Sequence, residues 1–68
     1  MNMDEIIRNM EQAIEDERDE LNRLGLLTLE QDKKICENAR IFSQNRNVDE
    51  MLWTLHLLKR IRERKQPE

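Results

Sequence analysis

Residues 3–24 read MDEIIRNMEQAIEDERDELNRL, and this stretch decides the fold because its apolar residues recur at alternating intervals of four and three. Such intervals place side chains along one side of an α-helix. Gly25 follows the last apolar residue, where a helix often ends in a residue that tolerates positive φ. We therefore predict a helix over residues 3–24. Its seam consists of Met3, Ile7, Met10, Ile14, Leu21 and Leu24, with Ile6 and Ala13 widening one side.

Glu17 is the one charged residue at a seam position of this helix. The carboxylate can point to solvent, which we favour, or it can pair with Arg40, Arg62 or a base of a partner and so fix the register of the helices. Asp32 of the next helix allows the same two interpretations, or it favours the first helical turn through the helix dipole.

Two further helices follow from capping signals. Thr28 and Gln31 form a capping-box pattern that begins a helix over 29–43, although Asp32 interrupts its small apolar arc. The polar run SQNRN at 43–47 indicates a turn, and Asn47 can cap a third helix over 48–65. The apolar arc of the second helix contains Leu29, Ile35, Cys36, Ala39 and Phe42, with Ile41 opposite.

The composition agrees with an all-α protein, since the chain has one Gly, one Pro, one Phe and no Tyr, and 40% of its residues are charged. A length of 68 residues allows one domain, near the size at which a single core barely offsets chain entropy. Short connections favour antiparallel neighbours. We predict a single helical domain over 1–68, an antiparallel three-helix bundle with a frayed tail at 66–68.

The third helix carries two apolar stripes. One stripe, suited to a bundle core, contains Val48, Met51, Leu52, Leu55 and Leu58. The other contains Trp53, Leu57 and Ile61 at i, i+4 and i+8, and we call it the Trp53 flank. Either this helix is sandwiched between the others, or the flank is an exposed patch that closes a homodimer or binds a partner helix, which we favour. Arg60 and Arg64 would then lie at its rim.

Charge is distributed unevenly along the chain. Residues 1–20 sum to −6, residues 51–68 to +3 and the whole chain to −3. In an up-down-up bundle the basic run of the third helix lies beside the acidic later half of the first, so mutual neutralisation is the interpretation we favour. Binding to an acidic partner or to nucleic acid is the alternative. The residues available for that role are Lys59, Arg60, Arg62, Arg64 and Lys65.

Few residues of the chain could act in catalysis or bind a metal or cofactor. The chain has one Ser, one Cys and one His, and we expect Cys36 to be a buried structural thiol and His56 a surface residue. The sequence lacks Cys-x-x-Cys and glycine-rich phosphate motifs, so we expect no catalytic residue, no metal and no cofactor. No stretch approaches the ~20 apolar residues of a membrane span. We expect no membrane contact and a cytoplasmic location.

The run Ile14-Glu15-x-x-Arg18-x-x-Leu21, followed by a loop, a second helix and Ser43-Gln44, is similar to the helical-hairpin aspartyl-phosphate phosphatases that restrain sporulation. Their signature is Ser-Gln-x-Leu-Asp. Here residues 45–47 are Asn, Arg and Asn, so the Leu and the functional Asp of that signature are absent. The resemblance implies, as an alternative, a regulator that acts on a phosphorylated response regulator.

The prediction for function is a small non-enzymatic protein-interaction module, that is, an adaptor, chaperone or inhibitor. It would bind through the Trp53 flank, most simply as a homodimer, because Trp and Arg dominate interface energetics. Nucleic-acid binding is a less favoured alternative, since the net charge is acidic and no recognised motif is present.

Overall fold

The structure, a computed structural model, describes residues 2–65 and the side chains of residues 2–64. It contains α1 (Met3–Arg23), α2 (Leu29–Gln44) and α3 (Val48–Lys65). The all-α three-helix prediction is confirmed, and two predicted helix ends, 24 and 43, differ from the observed ends by one residue. The predicted frayed tail at 66–68 lies outside the described residues.

Side-chain caps begin the helices where the sequence predicts them. The Thr28 hydroxyl accepts a hydrogen bond from the Gln31 amide at 3.0 Å, and the Gln31 side chain accepts one from the Thr28 amide at 2.9 Å. Asn47 accepts from the Glu50 amide at 3.2 Å. These bonds satisfy amides that have no partner within the first turn of a helix.

The two connections share one backbone pattern. After α1, the Leu26 amide donates to the Leu21 carbonyl and the Gly25 amide to the Asn22 carbonyl, which is a Schellman motif. After α2 the equivalent bonds run from Asn47 to Phe42 and from residue 46 to residue 43. Gly25 has φ 72° and Arg46 has φ 55°, so the second connection places an arginine in the left-handed region that favours glycine.

α1 and α3 run in the same direction, and α2, which connects them in sequence, runs in the opposite direction. Arg46, just before α3, pairs with Asp4 at the start of α1 at 2.6 Å. Near the other end, Arg62 of α3 pairs with Glu17 of α1 at 2.8 Å. The contact between α1 and α3 is the most extensive of the three helix pairs.

The fully buried apolar side chains come from α1 and α3 alone among the described residues, and α2 contributes none. Thr54 is also buried, and its hydroxyl donates to the Glu50 carbonyl at 2.9 Å, which satisfies the polar group. The buried apolar set is Ile7, Ile14, Leu21, Met51 and Leu58. Half-buried residues that pack against it include Ile35, Ala39 and Phe42 of α2 and Leu26 and Leu27 of the connection.

Four predicted seam or core positions are exposed, and two of them, Met3 (45%) and Leu24 (40%), lie at the two ends of the predicted seam of α1. Leu29 is 86% exposed because it is the first residue of α2, before the helix reaches α1 and α3. Leu52 is 42% exposed, because the buried line of α3 runs through Met51, Thr54 and Leu58. Met51 and Leu58 belong to the first predicted stripe and Thr54 lies between the two stripes, so Leu52, Trp53 and Leu57, which lie farther around the helix, face solvent.

Candidate interaction surface on the third helix

The orientation of α3 follows from its ion pair with α1. Arg62 contacts Glu17, and Trp53 lies nine residues before Arg62, which places it about 180° away at 100° per residue. Leu57, five residues before Arg62, lies about 140° away. Trp53 and Leu57 of the Trp53 flank therefore point away from the α1 contact.

The structure leaves most of the predicted binding residues accessible. Trp53 is 53% exposed and Leu57 is 41% exposed, and they are adjacent at i and i+4. Arg60 and Arg64 are exposed on the same side. Ile61 differs, because it is half-buried and packs against the core. Trp53 and Leu57 therefore supply most of the exposed apolar surface of the flank.

Glu17 does not point freely to solvent, and that favoured interpretation is wrong. Its Oε1 lies 2.8 Å from the Arg62 Nε, and the side chains retain 17% and 34% exposure. The Arg62 N–H is not directed at this oxygen, so the contact is an ion pair without a hydrogen bond. The pairing with Arg62 that the sequence also allowed is the one present, and it holds the end of α3 beside α1.

The predicted neutralisation of the acidic half of α1 by the basic run of α3 is present among the described side chains at one ion pair, Glu17 with Arg62. Glu20 accepts a hydrogen bond from Arg23, which lowers the pKa of the Glu20 carboxyl, and the charge of Arg62 lowers it further. This leaves Lys59, Arg60 and Arg64 as exposed bases of the α3 run, whereas Arg62 is engaged. The predicted role of the Lys65 side chain lies outside the described residues.

A second polar cluster joins α1 to α2. Arg18 donates to Asp19 at 2.7 Å and to the Cys36 Sγ at 2.6 Å, and these contacts raise the pKa of the Arg18 guanidinium. Asp32 Oδ1 accepts a hydrogen bond from the Asn22 side-chain Nδ2 at 3.0 Å and lies 3.8 Å from the Arg18 Nε. Cys36 is half-buried and its thiol contacts Arg18. The sequence predicted a buried structural thiol, so Cys36 is more accessible and more polar in its surroundings than predicted.

An open groove of about 440 Å³ lies between α1 and α2. Ile14, Ile35 and Ala39 supply its apolar lining, and Glu11, Glu15 and Arg40 are among its charged lining residues. Sequence reasoning did not predict this groove.

The other candidate residues are not brought together. His56 is exposed on α3, as predicted, and Cys36 contacts α1. In the turn that carries the phosphatase resemblance, Asn47 caps α3 and Ser43 is half-buried. Within residues 2–65 no group of three or more His, Cys, Asp or Glu side chains could hold a metal ion.

None of the helices in the described part of the chain is both long and apolar enough to cross a membrane. No family model, no curated protein and no solved structure matches the chain. The candidate site therefore depends on its own geometry, and its most distinctive feature is the pair of adjacent exposed apolar side chains on α3 between exposed arginines and the acidic start of the helix.

Proposed function

We propose that this protein is a non-enzymatic protein-interaction module, acting as an adaptor, chaperone or inhibitor, that pairs with a second copy of itself through the Trp53 flank. The observation that carries the proposal is the exposure of Trp53 beside Leu57, on the side of α3 that points away from α1. Adjacent large apolar side chains on the surface of a small domain are typical of association sites.

Residue type and domain size support the same proposal. Tryptophan buries a large area with few rotatable bonds, and arginine offers a planar set of donors, so both recur at the centres of interfaces. A domain of this size buries a smaller share of its surface on folding than a larger domain does, and association adds to that burial. The proposal places the protein in the cytoplasm by default, and a single cysteine, which forms no intrachain disulfide, is compatible with a reducing compartment.

The test is molar mass in solution across a wide concentration range, by light scattering and sedimentation. We expect the wild type to approach twice the chain mass of 8.3 kDa as concentration rises. Trp53→Glu should stay monomeric, because a carboxylate on the flank would have to be desolvated in the dimer. Circular dichroism should show that this variant keeps its helices.

Leu57→Glu and Leu52→Glu form a matched pair of variants. Both leucines lie on α3 with nearly equal exposure, 41% and 42%, but they lie on different sides of the helix, about 140° apart at 100° per residue. Leu57→Glu should abolish the dimer and Leu52→Glu should keep it. A wild type that remains monomeric at every concentration would contradict the proposal, as would equal loss of the dimer in both variants.

A further inference from the structure

The exposed face of α3 changes in charge along its length. Glu50 lies in the first turn, Trp53 and Leu57 follow, and Arg60 comes one turn later. At 100° per residue these four residues fall within an arc of about 80°, so they form one continuous strip. All four are exposed. The strip therefore runs from an acid through two apolar residues to a base.

The charges at both ends of this strip are available. Among the described side chains, neither the Glu50 carboxylate nor the Arg60 guanidinium forms an ion pair. Within the described part of the chain, the hydrogen bonds of Glu50 outside the helix ladder use its backbone: its amide donates to the Asn47 side chain and its carbonyl accepts from the Thr54 hydroxyl. A charge-complementary partner can thus engage both side chains without breaking an existing pair.

The strip is complementary in charge to a second copy of itself that runs in the opposite direction. When two such helices lie antiparallel and cross at the axial level of residue 55, the residue numbers of any two facing positions add up to 110. Glu50 then faces Arg60 of the second copy, and Trp53 faces Leu57 of the second copy. Such spacing follows the alternating three and four of antiparallel helix seams. In a parallel arrangement Glu50 would face Glu50 and Arg60 would face Arg60, which is repulsive.

We propose that two copies of this chain associate through antiparallel α3 helices centred near residue 55, with Trp53 and Leu57 of both copies in the middle and Glu50 paired with Arg60 of the second copy at each end. This inference rests on the proposed function and adds the orientation and register of the contact. The contact is isologous, so it closes at two copies and does not propagate into a filament.

The size of the strip predicts a weak and reversible dimer. Ten residues of helix separate Glu50 from Arg60, a length of about 15 Å. An interface built around such a short contact lies at the low end of specific association, so we expect dissociation constants in about the micromolar range. Equilibrium sedimentation is the suitable measurement.

The experiment is a charge reversal with its compensation. Glu50→Arg alone and Arg60→Glu alone should each raise the dimer dissociation constant about tenfold, because two ion pairs per dimer become repulsive. The double variant Glu50→Arg/Arg60→Glu should return close to the wild-type value. Because Glu50→Arg also opposes the helix dipole in the first turn of α3, circular dichroism is needed to show that helix content is retained.

Lys59→Glu is the matched control, since Lys59 is an exposed base next to Arg60 but about 100° away around the helix. It should change the dissociation constant little. If Trp53→Glu abolishes the dimer but the double variant fails to recover, or Lys59→Glu equals Arg60→Glu, the antiparallel register is wrong and the proposed function stands. If the wild type is a monomer throughout, both the self-association in the proposed function and the antiparallel register fail.

Discussion

α1 and α3 differ from α2 in how they hold the bundle together. α1 and α3 supply every fully buried side chain of the described residues, whereas α2 packs through half-buried residues and polar contacts such as Arg18 with Cys36. The difference follows from the residues, because the inner arc of α2 includes Asp32, Cys36 and Ala39, which are polar or small. A two-helix core with an attached third helix describes the molecule better than three equivalent helices.

Truncation of a buried residue should have the largest effect. Leu58→Ala should lower the free energy of unfolding by about 2–5 kcal/mol, because a fully buried leucine leaves a cavity. Ile35→Ala in α2 should cost clearly less, since this side chain is half-buried. Urea denaturation at one protein concentration measures both.

Leu57→Ala is the surface control for Leu58→Ala. It should change the stability of the monomer by less than about 0.5 kcal/mol, so the measurement belongs at a concentration where the wild type is monomeric. An Ile35→Ala cost equal to that of Leu58→Ala would mean that α2 belongs to the core as fully as α3 does.

The two connections that flank α2 should respond in opposite directions. Gly25→Ala should cost about 1 kcal/mol because an L-residue at positive φ is strained, although the space around it is open. Arg46→Gly should raise the free energy of unfolding, because glycine relieves backbone strain of about the same size. The gain is reduced by the small contribution of the exposed ion pair with Asp4, which this variant also removes.

Thermal and urea unfolding of both variants measure the effect at the connections. Asp4→Asn removes the ion pair and keeps the backbone unchanged, so it separates the two contributions at Arg46. Destabilisation by Arg46→Gly beyond that of Asp4→Asn would contradict the expectation and would mean that the connection after α2 depends on the arginine side chain itself.

The smallest expected effect is a loss of folding stability at acidic pH. The hydrogen bond and charge of Arg46 lower the pKa of Asp4 below its ordinary 3.8, and Arg23 lowers the pKa of Glu20 below its ordinary 4.5. The unfolded chain therefore binds these protons more tightly than the folded chain does. This stability is present above the ordinary values and is lost as the pH falls through the lower folded values.

Urea midpoints measured from neutral pH to below 3.8 should fall slightly, and less so for Asp4→Asn, which has no carboxyl to titrate. Glu30→Gln is a suitable control, because this exposed carboxylate forms no ion pair with another described side chain. An acid loss that is unchanged in Asp4→Asn would show that the pair with Arg46 contributes nothing in solution.

Local sequence signals predicted most of the fold. Thr28 with Gln31 and Asn47 marked helix starts, and Gly25 marked a helix end, because capping depends on residues close together in the chain. The exposure of Trp53 and Leu57 was also predictable, since α3 carries more apolar surface than two neighbours can cover.

Contacts between helices could not be predicted in the same way. Which line of α3 is buried depends on where α1 and α2 lie around it, so Leu52 was placed inside and Thr54 was overlooked. The partner of Glu17 depends on the axial register of α1 and α3, and the sequence offered Arg62 as one of several choices. The contact of Arg18 with Cys36 likewise requires two helices to be aligned.

The parallel pairing of the first and third helices has a consequence for how the chain folds. Its most extensive contact joins segments separated by the whole of α2, so the entropy of closing a long loop must be overcome before the core can form. A nascent chain leaving the ribosome as far as residue 44 has no α3 against which to bury Ile7, Ile14 and Leu21. Folding should therefore begin only after α3 emerges, and it should then occur in one cooperative step.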